Sequence, residues 1–345
     1  MSTEPYKILI IGPSWIGDMV MAQSLFIALK AEHNHCLIDV LALAWTKPLL
    51  DRMPEVNKAI PMPISHGVFG LKMRYSIGKQ LQATKYDQAI VLPNSWKSAL
   101  IPWFATIPKR TGWKGEARYG LLNDIRTLNK QALPMMVQRF VSLVYPRSQS
   151  HIAPDYPVPK MVANSSVFNI LPLMVEQKRL ILCPGAEFGP AKQWPAKSYA
   201  EVASVLIEQG WQVLVLGSKA DKTIADEIEN LVTNKDDTKL INLCGLTELH
   251  EAIDLLDTAD AVISNDSGLM HIAAALQKNL VVIYGPTSPN FTPPLSQNAH
   301  FLQIDVDCGP CFQRTCPEQH HKCMQGINSD DVLTSLQLSQ SAKHQ

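Results

Sequence analysis

Short apolar runs alternate with longer stretches of helical period along most of the chain. In the first half, Lys7–Ile11, Leu37–Leu43 and Gln88–Leu92 read as buried strands, and Asp18–Ala31 and the segment near Trp96–Ala105 read as helices. Met135–Tyr145 carries an apolar helical pattern. Pro146–Val175 follows it, rich in Pro, Ser, Asn and Gln without a clean period, and reads as an interdomain linker. The same grammar then restarts. Strands are expected at Arg179–Cys183, Gln212–Leu216, Lys239–Leu243, Ala259–Ile263 and Leu280–Tyr284. Helices are expected at Ser198–Gln209, with Gly210 as its C-terminal stop, and at Ala220–Leu231, Leu246–Leu256 and Gly268–Leu276. Strands alternating with helices predict α/β domains with parallel, doubly wound sheets. At 345 residues the chain exceeds the usual single core, so two such domains are expected, over residues 1–160 and 161–345.

Composition narrows the function classes. Hydrophobic residues make up 46% and charged residues 18%, with 31 Lys plus Arg against 31 Asp plus Glu, a balance that argues against a dedicated nucleic-acid binder. No stretch approaches the ~18 apolar residues of a membrane span, and the first residues lack a signal-peptide pattern. With seven cysteines, these features point to a reducing, cytoplasmic setting. Charge is nevertheless uneven. Lys109–Lys130 is a locally cationic, loop-like segment holding Arg110, Lys114 and Arg118 with Trp113 and Tyr119 between them. It reads either as a solvated face or as a surface that meets an anionic partner.

The candidate chemistry lies where strands end. Ser264-Asn265-Asp266-Ser267-Gly268-Leu269-Met270-His271 joins a strand to a helix, where Asp266 or Ser267 can cap and the free amides of Ser267, Gly268 and Leu269 can accept an anion. Gly12-Pro13-Ser14-Trp15-Ile16-Gly17-Asp18 forms a glycine turn with a carboxylate at the helix start. It lacks the Gly-x-Gly-x-x-Gly spacing of a dinucleotide fingerprint. The third loop, Pro184–Pro195, holds Lys192 and Trp194, and a fourth strand end carries Gly217-Ser218-Lys219-Ala220-Asp221.

Three of these pieces, Ile16-Gly17-Asp18, Lys192-Gln193-Trp194-Pro195 and Asn265-Asp266-Ser267-Gly268 with His271, resemble the ADP-heptose:lipopolysaccharide heptosyltransferases of glycosyltransferase family 9. The resemblance spans nearly the whole chain. It implies the GT-B architecture, two Rossmann-like domains facing each other across a cleft. It also implies an inverting transfer of heptose from ADP-heptose, bound by the second domain, to phosphorylated heptosyl-Kdo2-lipid A, met by the first domain at the inner face of the inner membrane. Asp18 would be the catalytic base. Lys192, Asp266, Ser267, Gly268 and His271 would hold the donor, with Asp221 at its ribose, and Arg110, Lys114 and Arg118 would meet the acceptor. Lysine and helix amides can carry a diphosphate's charge, so no metal or other cofactor is required. Nucleic acid is not an expected partner. Cys308, Cys311, Cys316 and Cys323, with His320 and His321 in the last gap, are compatible with structural zinc, with disulfides or with free thiols. Read without the resemblance, the residues reach only two doubly wound domains with an anion site and a carboxylate across the cleft; the alternative readings are another GT-B enzyme, either the first heptosyltransferase or a nucleotide-sugar epimerase, and a non-catalytic nucleotide-sugar-binding protein.

Overall fold

A computed structural model describes residues 4–64, 67–164, 176–233 and 238–341, with side chains described to residue 336. The chain divides into two compact units, Met1–Pro159 and Lys160–Gln345. Residues 165–175 of the expected linker lie outside the described residues; those before them end in an extended stretch whose Met161 and Asn164 amides donate to Ala275 O and to Asp254 Oδ1 of the second unit.

The first unit is built on strands β1 (Tyr6–Ile11), β2 (Cys36–Leu43), β3 (Val56–Met62), β4 (Gln88–Val91), β5 (Lys109–Trp113) and β6 (Asp124–Arg126), in the spatial order β3-β2-β1-β4-β5-β6. All neighbours are parallel. Its helices are α1 (Ile16–Glu32), α2 (Lys47–Leu50), α3 (Leu71–Leu81), α4 (Leu100–Phe104) and α5 (Met136–Val141). The inner strands β1 and β4 are almost wholly buried, as a parallel sheet covered on both faces requires. Two expectations need correction here. The region near Trp96–Ala105 is a 3-10 turn, Trp96–Ala99, followed by the short α4. The basic segment after Lys109 is not a loop: its two ends pair as β5 and β6, and its charged side chains hid that register from an apolar-run reading.

The second unit repeats the plan. Strands β7 (Arg179–Cys183), β8 (Gln212–Val215), β9 (Leu240–Asn242), β10 (Ala261–Asn265), β11 (Leu280–Ile283) and β12 (Ala299–Leu302) lie in the order β12-β11-β10-β7-β8-β9, again all parallel. Its helices are α6 (Ala196–Glu208), α7 (Lys222–Leu231), α8 (Leu249–Asp257), α9 (Gly268–Ala275), α10 (Lys322–Gln325) and α11 (Ser329–Ser341). Val332 and Leu336 of α11 join the buried cluster that contains Trp194, Tyr199 and Ile263, so the described part of this last helix belongs to the second core.

Both sheets reverse strand order next to their first strand, between β1 and β4 and between β7 and β10. Loops leaving adjacent strands diverge there, which makes the carboxyl edge at these points the natural ligand crevice of each unit. The turn from β1 and the loops from β7 and β10 are the ones singled out by their residues.

Candidate functional site

The second unit's crevice is assembled from four strand ends. Asp266 follows β10, and its Oδ2 accepts from Lys192 Nζ at 2.6 Å and from Thr287 Oγ1 at 2.6 Å. Lys192 comes from the β7 loop and also donates to Asp266 O at 3.2 Å. Thr287 comes from the loop after β11. The ammonium lies 4.9 Å from the Phe188 ring centroid, so one face of the charge is covered by an aromatic ring and another by the carboxylate. Side-chain exposure is 11% for Lys192 and 6% for Asp266, enough to leave the cation reachable while most water is excluded.

Helix α9 starts beside this pair. Ser267 is its N-cap, accepting from Met270 N through Oγ and lying 3.1 Å from Ser264 Oγ. Gly268 and Leu269, in the first turn, have no carbonyl four residues back within the helix to bond, and they lie at the positive end of the helix dipole, two and three residues after the Asp266 that Lys192 pairs with. A lysine ammonium beside a helix N-terminus is an arrangement for a phosphate or diphosphate.

Asn265, which sequence reasoning gave no role, holds this geometry in place. Fully buried, it accepts through Oδ1 from Trp194 N (3.2 Å) and Tyr199 OH (3.0 Å) and donates through Nδ2 to Pro184 O (2.8 Å). One amide side chain thereby fastens both ends of the lysine loop to the end of β10. Trp194 closes the other side by donating Nε1–H to Ile327 O at 2.9 Å. The sequence signal for Asn265 was its place between a buried strand and the cap. Thr287 had no comparable signal, being one of several small polar residues after β11.

His271, one turn into α9, is buried, and burial pushes its imidazole down to about 4, with the nearby Asp266 opposing and Lys192 reinforcing that shift. It is neutral at physiological pH and supplies no charge to the neighbouring Lys192–Asp266 pair. Asp221 sits at the end of β8, where its Oδ2 accepts from Ser218 N and Oγ at 2.8 and 2.7 Å as part of a cap. A Cβ added at Gly185 would fall 2.6 Å from that oxygen, so the Asp221 carboxylate lies flush against the β7 loop.

In the first unit, Asp18 occupies the first turn of α1, half-buried, where the helix dipole favours a carboxylate. Gly12 makes this turn tight. Its amide donates to Leu41 O at 2.9 Å, and an added Cβ would lie 3.2 Å from Ala42 Cβ and 3.3 Å from Val40 Cγ1.

The three basic residues expected on one face separate. Arg118 is fully buried and donates to Pro93 O (2.6 Å), Ser98 Oγ (3.3 Å) and Trp113 O. Burial pushes its guanidinium down to about 10 against the opposing pull of Glu116. It ties loops of the first unit together and is not a surface contact for an acceptor. Arg110 is half-buried and folds back on Leu121 O and Ile107 O, at 2.7 and 2.6 Å. Lys114 alone of the three is exposed, with Nζ 5.7 Å above the Tyr119 ring.

Cys308, Cys311, Cys316 and Cys323 are free, half-buried thiols lining one small cavity with His320 and His321. Cys308 Sγ lies 3.9 Å from His320 Nε2, and burial raises the Cys323 thiol, helped by the three neighbouring thiols. Among the described residues no group of three or more His, Cys, Asp or Glu side chains is placed to hold a metal ion. The loop's visible task is mechanical: Arg314 O accepts from Ala191 N at 3.1 Å, next to Lys192, and Phe312 N donates to Pro286 O at 2.8 Å.

Comparison with known proteins fits this arrangement. Residues 74–322 match the family described as glycosyltransferase family 9 (heptosyltransferase). The chain is 46% identical over 338 residues to lipopolysaccharide heptosyltransferase 2 of Escherichia coli, covering 96% of this chain and 97% of that one. It is 50% identical over 308 residues to lipooligosaccharide heptosyltransferase 2 of Haemophilus influenzae, covering 86% and 88%. The solved structure of E. coli ADP-heptose lps heptosyltransferase II superposes with a TM-score of 0.88 at 44% identity, covering 98% of this chain and 100% of that one. Two doubly wound units with an anion crevice at the switch strand of the second, and a match of this length and identity, lead to one conclusion: the chain belongs to glycosyltransferase family 9, the heptosyltransferases, and has their GT-B fold.

Proposed function

We propose that this chain transfers heptose from ADP-heptose to the first heptose of the lipopolysaccharide inner core, with inversion at the anomeric carbon. The observation that carries the reading is the Lys192–Asp266 pair set against the N-terminus of α9. Transfer from a nucleotide diphosphate sugar creates negative charge on the departing diphosphate as the anomeric bond breaks. Stabilisation is most effective when donors are already aimed at that charge in a water-poor site. Lys192 supplies a point charge and Gly268 and Leu269 supply amides, so the leaving group needs no metal from this chain's residues.

Asp266 has two duties in this scheme. With the site empty it neutralises Lys192, and with the donor bound it accepts hydrogen bonds from sugar hydroxyls while Lys192 turns to the diphosphate. The in-line attack requires an acceptor hydroxyl to lose its proton as the new bond forms, and Asp18 is the carboxylate assigned to that base role. Asp221 is assigned to the adenosine ribose through the carboxylate oxygen that its cap leaves over, and Lys114 to a phosphate of the acceptor. The acceptor is phosphorylated heptosyl-Kdo2-lipid A, met at the inner face of the inner membrane. Among the described residues no helix is long and apolar enough to cross a membrane, so that encounter is assigned to the protein surface.

The test is ADP release from ADP-heptose by the purified chain, with and without heptosyl-Kdo2-lipid A. Release that depends on the acceptor, with a product one heptose heavier, is expected. Release that ignores the acceptor, or a nucleotide sugar recovered as its epimer, would replace the transferase reading with an epimerase.

A further inference from the structure

Between Glu55 and Glu116 the chain carries nine lysines and arginines and a single acid, Asp87, although its overall charge is +0. Asp87 lies at the amino end of β4, where its carboxylate accepts from Lys7 N at 2.8 Å, far along the strand from the loops that leave its carboxyl end. Those loops, with α3 and α4, carry an unusual number of large apolar side chains on the outside.

The apolar residues gather around α3 in two ring clusters. Helix α3 buries Arg74, Ile77, Gly78 and Leu81, a stripe that packs on α4, and turns the opposite face to solvent. Leu71 and Tyr75 stand one turn apart on one edge of that outer face. The Tyr75 ring meets Phe104 edge-on at 5.2 Å, and Phe104 lies 5.1 Å from Trp103. At the start of α3, Phe69 stacks on Trp96 at 6.2 Å. Arg74 locks the two loops together by donating to Phe69 O at 2.6 Å and Lys97 O at 3.1 Å. Val68, Phe69, Leu71, Tyr75, Trp96 and Trp103 are each between 40% and 50% exposed. Clusters of exposed large apolar side chains rimmed by polar residues mark surfaces that meet a partner or a membrane. Lys79 lies 5.7 Å from the Tyr75 ring, and Lys72 is exposed on the same outer face of α3.

We propose that this surface docks the protein on an anionic phospholipid bilayer, the aromatic and aliphatic side chains entering the headgroup boundary and Lys72, Lys79 and Lys97 meeting lipid phosphates. Tryptophan and tyrosine favour that boundary, and lysine stems extend from apolar ground to charged headgroups. A second copy of the chain fits less well, because a two-fold contact sets the patch against itself and brings three lysines against three, with Glu116, whose carboxylate accepts from Trp96 N at 2.8 Å, as a single acid beside them. The inference rests on the proposed use of a lipid-borne acceptor and adds the surface by which that acceptor's membrane is met.

The test is flotation of the full chain with vesicles of phosphatidylcholine alone and of phosphatidylcholine mixed with phosphatidylglycerol, in the absence of donor and acceptor. Wild type is expected to float with the mixed vesicles, to stay behind with the neutral ones, and to release as salt is raised. Lys72→Glu with Lys79→Glu, and separately Leu71→Ser with Trp103→Ser, each weaken partitioning by about tenfold or more. The second pair keeps wild-type ADP release with a water-soluble, deacylated acceptor. Equal flotation of wild type and both variants, or no flotation of wild type, overturns the proposal. So does sedimentation showing a wild-type dimer that the variants turn into monomer, which would give the patch to a second copy. Failure of ADP release under every condition would remove the transferase reading and leave the flotation result standing.

Discussion

One carboxylate oxygen, Oδ2 of Asp266, holds both Lys192 and Thr287, and the behaviour of the site follows from what that oxygen does when its partners change. Lys192→Ala removes the cation aimed at the diphosphate and leaves Asp266 beside it as an uncompensated anion. ADP affinity measured by calorimetry is expected to fall about 10- to 100-fold, equivalent to about 1.4–2.8 kcal/mol and in the range of a charge-assisted hydrogen bond. Unchanged affinity would remove Lys192 from the donor site. Asn265→Ala acts on position instead of charge. It leaves the Tyr199 hydroxyl and the Trp194 amide buried without their acceptor, so urea unfolding should show a loss of about 2–4 kcal/mol, with weaker ADP binding as the lysine loop loosens. His271 gives the pH dependence. Its folded value is near 4 and its unfolded value near 6.5, so the unfolded chain binds the proton first on acidification. Its contribution to stability is complete above about pH 6.5 and is lost as pH falls toward 4, for a total on the order of 3 kcal/mol. His271→Gln should therefore flatten the stability profile across that window. An identical profile in the variant would place the responsible group elsewhere.

At the level of elements, strands that are continuous apolar runs were legible, the edge strand β9 among them, whereas the polar edges β3 and β12 and the basic inner strand β5 were not. Tyr6–Ile11, Arg179–Cys183 and Leu280–Ile283 are near-continuous apolar runs because both faces of a covered parallel sheet are dry. The edge strand β3, Val56–Met62, pairs only with β2, keeps Asn57 and Lys58 exposed and tolerates Pro61, so it offers no run to detect. The edge strand β12, Ala299–Leu302, is hidden for the same reason. Helix α3 escaped because its buried stripe contains an arginine and a glycine, which carry no apolar period. That glycine is a close-contact residue: a Cβ at Gly78 would lie 2.4 Å from Phe104 Cβ and 3.0 Å from Ile101 O. Gly78→Ala is expected to push α3 off α4 at a cost of about 1–3 kcal/mol, read as a lowered melting temperature. An unshifted transition would mean that the two helices are not rigidly packed. The candidate site divides along the same line. Asp266 and the α9 cap stood out because they follow a buried strand's end with polar chemistry, whereas Lys192 stood out only through Lys192-Gln193-Trp194-Pro195, a piece that carries the family resemblance. The burial of Arg118 was invisible, since two of its partners, Pro93 O and Ser98 Oγ, lie 25 and 20 residues back along the chain and only the fold brings them to it.

For the whole molecule, the same doubly wound plan occurs twice with the candidate residues at equivalent places, beyond the carboxyl end of the first strand in each sheet and its new neighbour. The first unit offers a carboxylate there and the second a cation with helix amides. The proposed transfer rests on that division of labour, base on one unit and leaving-group stabilisation on the other. The most direct measurement compares Asp18→Ala with wild type for both turnover and ADP binding. The account predicts that acceptor-dependent ADP release falls at least about a hundredfold, the scale of a lost general base, while the ADP dissociation constant stays within about twofold. Turnover near wild type, or ADP binding lost together with turnover, would contradict it and take Asp18 out of the base role.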